Sequence, residues 1–486
     1  MAILVIDAGT SGVRAAIVEA DATISLEYYA EALPDTPAPG LVEFDAATYA
    51  ALAIELANRV LAEAGPVDAV GISTQRASVI VWDRATGEPV APAQSWQDLR
   101  TLGDCLVLQG SGLRFAPNQS ATKIPNILNA VDPDRSRDLC VGTPETWLVW
   151  NLTQGAAHVT DLSNAAVTGL LSHGAAAAEW DQGVLDTLGI PASTLPRIVD
   201  CSGEIAPATA LAGSPPICGL AGDQQASLIG QGCVQPGLAK VTFGTGAMLD
   251  LCVGPDRPTA EARAAAGTFP IVCWGRDGSV MWGIEALMLS AGTNVQWLRD
   301  DLGIIASAGE SDEVAAQCDH TDGVMYVPAQ LGLGTPYWDY GARGSLLGLT
   351  RGSGRPQIIR AVLEGIAHRG ADLVEAAEAD SGLAIGALRI DGGMSDNVVF
   401  TQALADITGR RVEVSPVRDA TALGAAFLAG LAIGTWPDWN AIAATWRPTR
   451  IVEPRPDFDR AAARKQWASA IERARGWYAD LSGLDF

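Results

Sequence analysis

Two stretches of this chain carry the same pattern of apolar and polar positions. Ala2 to Ile6 reads as a strand, Asp7-Ala8-Gly9-Thr10-Ser11-Gly12 as a turn, and Val13 to Val18 as a returning strand. The pattern recurs as Ala239 to Phe243, the turn Gly244-Thr245-Gly246, and Met248 to Val253. A strand, a Gly-Thr turn and a strand near the start of each half predict two related domains, each offering a turn to a shared cleft. In a P-loop or a dinucleotide fold the glycine turn enters a helix, so neither fingerprint is present.

The remaining periodicity fills in an α/β chain. Ala46 to Ala64 has helical spacing, and Val67 to Ile72 and Val79 to Trp82 read as short strands around the polar loop 73–78. Residues 112–128 and 143–171 look like loops and short helices laid over the first domain. Within them Asp161 and Asn164 read as turn or cap residues. The second half predicts a helix from Ile284 to Leu302, a glycine- and aromatic-rich loop from Gly332 to Arg351, and a helix from Pro356 to about Ala379. Leu388 to Ile390 is a strand leading into a glycine turn, Asp391 to Asn397, and a helix through Ile407. The chain closes with a helix whose Trp467, Ile471, Ala474 and Tyr478 fall on one face. The domain junction is placed between Ala226 and Gly237, dividing the chain into 1–230 and 231–486.

Composition narrows the classes. An apolar content of 48% over 486 residues suits two domains with ample core. A net charge of -24 disfavours nonspecific nucleic-acid or anionic-membrane binding, so any nucleotide must be held by local donors. The eight cysteines form no CxxC pair, which suits free thiols in a reducing compartment. Ala2 to Ile6 is too short for a signal peptide, and Ala422 to Trp436 is too short for a membrane span and reads as a buried helix. A cytoplasmic location is expected.

Candidate chemistry gathers on residues 219–248. Asp223 has no cation within several positions, so its carboxylate is expected to be available as a proton acceptor. The bare backbone of Gly244-Thr245-Gly246 offers N–H groups to an anion. Arg76, in the polar loop, is either a grip on a hydroxyl or phosphate or a surface ion pair. Trp96, Asp98 and Arg100 alternate, offering an apolar sugar face, an acceptor and a donor, although Trp96 also fits core packing. Gly292 and Gln296 lie one helical turn apart, a glycine face for a flat base or phosphate.

Taken together, DAGTSGVR, GISTQRASVIVW, SWQDLR, VTDLSNA, GLAGDQQASLIGQ, VTFGTGAM, SAGTNVQWLRD, GLGTPYWDYGARG, LRIDGGMSDN and TALGAAFLAGLAIG occur in the order found in one family. The chain resembles the FGGY carbohydrate kinases nearly end to end, most closely the branch that phosphorylates glycerol. The resemblance implies two actin-like (ribonuclease H-like) domains with a nucleotide-binding cleft between them. It also implies ATP and Mg²⁺ as cofactors, transfer of the γ-phosphate to a hydroxyl of a small polyol or sugar, and a homo-oligomer, dimer or tetramer. Carried over by position, Asp223 is the catalytic base, Gln224 a substrate contact, and Asp7, with Asp223, the acid near the metal. Thr10, Ser11, Gly12, Arg14, Gly244 and Thr245 fall on phosphate positions. Gly292, Gln296, Gly393, Met394 and Asn397 fall around the nucleotide.

The acceptor positions depart from the glycerol pattern. Arg76 and Trp96 are kept, but the Glu after that Arg is Ala77, the Tyr that caps glycerol aligns with Asn118, and the aromatic after the second turn is Met248. Loss of a carboxylate bridging two hydroxyls is expected to cost glycerol about 1.5–3 kcal/mol and to open room for a tetritol, pentitol or ketose. Asp98 resembles the WxDxR stretch of the pentulose-phosphorylating members. Leu211 to Pro216 lacks the basic residues of the family's sugar-bisphosphate inhibition loop, so that regulation is not implied. A non-catalytic nucleotide sensor of the same fold is the rival class. Retention of Asp7, Asp223 and both turns argues against it. A plain ATPase would leave Arg76, Trp96 and Asp98 without a purpose.

Overall fold

The computed structural model describes residues 1–172, 178–260, 263–417 and 420–484. Two sheets organise it. The first contains β1 (Ala2–Ala8), β2 (Gly12–Glu19), β3 (Ile24–Glu31), β4 (Ala69–Thr74), β5 (Ser202–Pro207) and β6 (Pro216–Gly222), in the order β5-β6-β4-β1-β2-β3. The second contains β7 (Ala239–Phe243), β8 (Ala247–Gly254), β9 (Phe269–Arg276), β10 (Ser279–Met288), β11 (Ala387–Asp391), β12 (Arg411–Val414) and β13 (Arg450–Val452), in the order β9-β10-β8-β7-β11-β12-β13.

Both sheets use one plan. A hairpin, β1–β2 or β7–β8, is extended on one side by an antiparallel strand and on the other by two parallel strands. The repeated hairpins foreseen from the sequence are both present. Residues Ile3 to Ile6 of β1 are buried, as a strand with parallel and antiparallel neighbours requires.

The helices that matter to the site are α1 (Ala46–Ala64), α2 (Ser120–Val131), α3 (Leu162–Val167), α4 (Asp223–Gly230), α5 (Thr293–Asp300), α6 (Arg355–Ser381), α7 (Val398–Thr408), α8 (Thr421–Ile433) and α9 (Arg460–Ala474). Helix α1 has the predicted bounds, because Asp45 caps its N-terminus through Thr48 N–H and Gly65 at φ +87° ends it.

Helices α4 and α8 join the halves. α8 lies in sequence between β12 and β13 of the second sheet, yet it packs on β1, β4 and β6 of the first and against α4. The crossing is too close for a side chain: a Cβ on Gly424 would stand 1.8 Å from the Ala226 carbonyl oxygen. α8 is buried from Thr421 to Leu431, as its unbroken apolar run predicts.

Two expectations are corrected. Residues 284–302 are not one helix: Ile284 to Met288 complete β10, and only Thr293–Asp300 is helical. Glu285, Ala286, Leu287 and Met288 are good helix formers, but β10 is hydrogen-bonded to β8 on one side and β9 on the other, and tertiary pairing overrides propensity. The buried alternation Ile284, Ala286, Met288 was the strand signal. In the closing helix, Trp467, Ile471 and Ala474 are buried together, but Tyr478 lies beyond the helix end and is 51% exposed.

Candidate active site

The three parallel strands β1, β4 and β6 end side by side, with Asp7 opposite Ser73, Ala8 opposite Thr74, and Thr74 opposite Gly222. The chain leaves that edge as the first Gly-Thr turn, the loop carrying Arg76, and helix α4, whose first residue is Asp223. Strand carboxyl ends in such sheets are where ligands bind. Ser163 fixes the approach to Asp223: its hydroxyl accepts the Gly222 N–H at 3.0 Å and donates to Asp161, which caps α3. Asp161 is thus the cap that was expected.

Asp223 is not left without a cation. Arg76 Nε lies 3.3 Å from its Oδ1, and Arg76 Nη1 lies 2.8 Å from Glu285 on β10 of the opposite sheet. The expectation of an unclaimed carboxylate held only along the sequence, since its partner is distant in the chain. Arg76 is a mostly buried bridge between the halves, not a surface pair. Its alkyl stem occupies the space where a Cβ on Gly222 would sit, 2.7 Å from Cγ and Cδ. Burial raises the Asp223 pKa above the ordinary carboxylate value, and Arg76 opposes the rise.

Around this pair the acceptor candidates separate. Gln224 neighbours Asp223, with its side-chain oxygen 2.6 Å from Lys240 Nζ. The Trp96 indole donates to Thr10 Oγ1 at 2.9 Å, which ties the Trp96 segment to the first turn. Ala77 is 6% exposed at φ +62°, and its carbonyl accepts from Ser120 at 3.0 Å. Asn118 is exposed just before α2, between residues whose carbonyls bind the buried Lys123. Met248 is half-buried opposite Thr242.

Asp98 requires correction as an acceptor for substrate. It is fully buried, and its oxygens already accept from Val42 N–H at 2.7 Å and from Arg100 N–H and guanidinium at 2.7–2.9 Å. Those bonds hold its pKa below the usual range despite burial. It orders the loop and has no oxygen to spare for a ligand.

On the second sheet, β7 and β11 run parallel with Thr242 opposite Asp391, so the second turn and the Gly392-Gly393 turn share an edge. The Gly244 carbonyl accepts from Gly292 N–H at 2.9 Å, and the Thr245 carbonyl from Ala291 N–H at 2.8 Å. Met394 approaches Gly292 closely, with Cγ 3.9 Å from the position of a Cβ there. Gly244, Thr245, Gly292 and Met394 therefore meet, Gly393 precedes Met394 in the chain, and Gln296 stands exposed one turn into α5. Asn397 caps α7 through Phe400 N–H at 2.8 Å and donates to Ser311 at 3.1 Å, so its amide is structurally engaged. In the first turn, Thr10 and Ser11 stand at the tip. Gly12 and Arg14 are in β2, with Arg14 opposite Asp7 and its Nε 3.6 Å from Glu27.

The chemistry at Asp7 fits a hard cation. Its carboxylate is 8% exposed and accepts from the Ser73 hydroxyl at 2.7 Å and the Thr421 hydroxyl at 2.9 Å. No cluster of three His, Cys, Asp or Glu able to hold a metal occurs among the described residues. A Mg²⁺ held by one or two carboxylates, phosphate oxygens and water needs no such cluster.

Sequence reasoning missed three residues behind this surface. Lys240, Asp250 and Glu285 lie on β7, β8 and β10, with Lys240 Nζ 2.7 Å from Asp250 and Asp250 paired with Glu285 across the strands. A lysine and two acids inside apolar strands were the available signal.

Residues 2–230 match the N-terminal domain, and residues 239–433 the C-terminal domain, of the FGGY family of carbohydrate kinases. The chain belongs to that family, and its activity is that of an ATP-dependent carbohydrate or polyol kinase. It is 41% identical to a glycerol kinase of Halorhodospira halophila over 99% of this chain and 98% of that protein. It superposes on the glycerol kinase of Plasmodium falciparum, solved with ADP, with a TM-score of 0.89 at 29% identity, covering 97% of this chain and 98% of the other. A xylulose kinase of Lactobacillus acidophilus shares the fold, with a TM-score of 0.87 at 20% identity and 99% coverage of both chains.

Proposed function

We propose that this chain transfers the γ-phosphoryl group of Mg-ATP to a hydroxyl of a small polyol, glycerol or a related tetritol or pentitol. The observation that carries the reading is the placement of Asp223 at the start of α4 beside Arg76, on the strand-end edge that also bears Asp7 and the first Gly-Thr turn. Phosphoryl transfer asks for positioning and charge neutralisation more than for covalent chemistry.

Asp223 orients the attacking hydroxyl and takes its proton, while Arg76 and Gln224 hold the acceptor's oxygens. Thr10, Ser11, Gly12, Arg14, Gly244 and Thr245 receive the phosphates. Gly292, Gln296, Gly393 and Met394 line the nucleotide, with Asn397 bracing α7. A Mg²⁺ near Asp7 and Asp223 supplies charge neutralisation on the phosphates. In this reading residues 1–230 form the acceptor half and 231–486 the nucleotide half, working as a homo-oligomer in the cytoplasm. No described helix is long and apolar enough to cross a membrane.

A pentulose acceptor is the second reading. It rests on the departures from the glycerol pattern at Ala77, Asn118 and Met248, which leave room for a longer acceptor, a ketose as well as a tetritol or pentitol. Phosphorus NMR of the products formed from glycerol, erythritol, threitol, xylitol, xylulose and ribulose separates the readings. A phosphomonoester on glycerol, a tetritol or a pentitol supports the first and one on a ketose the second. ADP release that ignores every acceptor contradicts both.

A further inference from the structure

Lys240 has no exposed side-chain surface, yet it sits within an apolar strand beside the acceptor seat. A buried ammonium is tolerated only where its N–H groups find acceptors. They meet Asp250 Oδ2 at 2.7 Å, Gln224 Oε1 at 2.6 Å and Thr242 Oγ1 at 3.0 Å. Asp250, on the neighbouring strand, is equally buried and anchors the ammonium from the far side.

An ammonium donates and never accepts, so the amide of Gln224 must turn its oxygen toward Lys240. Its NH₂ group is what remains to meet a ligand beside Asp223. We propose that Lys240, held by Asp250, is a positioning residue that fixes the polarity of the Gln224 amide, so that Gln224 offers the acceptor substrate hydrogen-bond donors only. This rests on the kinase reading above. The substrate oxygen read by Gln224 is then contacted through its lone pairs, as is the oxygen facing Arg76, which leaves the proton of the reacting hydroxyl to Asp223. Donors on two sides and a single base select which hydroxyl is deprotonated.

Two variants test this. Lys240→Met combined with Asp250→Leu replaces the buried pair by apolar side chains, a change that is often neutral for stability. It is expected to raise the KM for glycerol about tenfold while leaving the KM for ATP within about twofold. Gln224→Glu keeps an oxygen toward Lys240 and exchanges the NH₂ for a second oxygen; it is expected to raise the glycerol KM by at least about 50-fold. An unchanged glycerol KM in either variant overturns the proposal.

A melting cycle reads the tether without turnover. Gln224→Met should lower the melting temperature in the parent chain and leave it unchanged in the Lys240→Met, Asp250→Leu background. Equal drops in both backgrounds contradict the tether. A parent enzyme that phosphorylates no acceptor would refute the kinase reading, while the cycle still decides whether Lys240 holds Gln224.

Discussion

Arg76 Nε lies 3.3 Å from Asp223 Oδ1, which places a counterion from the first sheet's loop directly against the first residue of α4. The same guanidinium reaches Glu285 on the second sheet at 2.8 Å, so the site's main cation also ties the two halves together. Pairing of this kind favours the charged carboxylate and offsets part of the rise in pKa that desolvation causes.

Replacing Arg76 by Met should therefore act on Asp223 as well as on substrate binding. Burial already raises the Asp223 pKa and Arg76 opposes that rise, so removing Arg76 raises it further. A base must be deprotonated to work, so the acid limb of the kcat/KM profile should move to higher pH, with kcat/KM at neutral pH falling by about 10²-fold or more. A pH profile that does not move would mean that Arg76 acts on the acceptor alone.

Asp98 should behave differently. Asp98→Ala removes the carboxylate that neutralises Arg100, and breaking such a buried pair typically costs about 3–5 kcal/mol, less here because Arg100 retains Glu43 at 2.6 Å. Thermal or urea unfolding should show the loss, while the KM for the acceptor in the folded fraction stays near the parent value. A large rise in that KM with unchanged stability would restore Asp98 to the acceptor seat.

Much of this architecture was legible in the sequence because its signals are local. The two hairpins, α1 and the buried α8 follow from period, caps and unbroken apolar runs. What stayed hidden is nonlocal. Residue Asp223 looks isolated because its counterion lies in another loop, and at Asp98 the remote part is the Val42 N–H, since the other bonds come from Arg100 two residues on. Residues 284–288 carry helix-forming side chains, and only pairing on both edges makes them a strand. The Asp223 and Gly-Thr positions were recognisable by family resemblance, whereas Lys240 and Glu285 acquire their partners only when the sheets meet.

Glu145 gives a pH-dependent stability. It is fully buried, hydrogen-bonded by Thr143, Thr146 and Thr160, and raised to about 7 by burial and then by the nearby Asp161, against an ordinary value of 4.5. Between those values the folded chain holds a proton that the unfolded chain has released. This contribution is therefore complete below pH 4.5 and lost as pH rises through 7, by about 3 kcal/mol at most. Glu145→Gln should melt like the parent at pH 5 and above it at pH 8. Parallel melting curves for the two proteins would contradict the assignment.

The three departures from the glycerol pattern can be reversed together. Combining Ala77→Glu, Asn118→Tyr and Met248→Phe restores the side chains of the glycerol pattern. It should raise the preference for glycerol over a four- or five-carbon acceptor by about tenfold or more in kcat/KM, equivalent to at least about 1.4 kcal/mol. A triple variant that folds and keeps the parent's preference would show that these positions do not set acceptor choice.

The most direct test of the whole account is acceptor-dependent ADP release by the parent and by Asp223→Ala, with nucleotide affinity measured in both. If Asp223 is the base, the variant still binds Mg-ATP, within about tenfold of the parent because Asp7 remains beside the metal, and loses at least about 10³-fold in kcat with the best acceptor. A variant that keeps its acceptor-dependent turnover would contradict the central claim and place the chemistry elsewhere in the cleft.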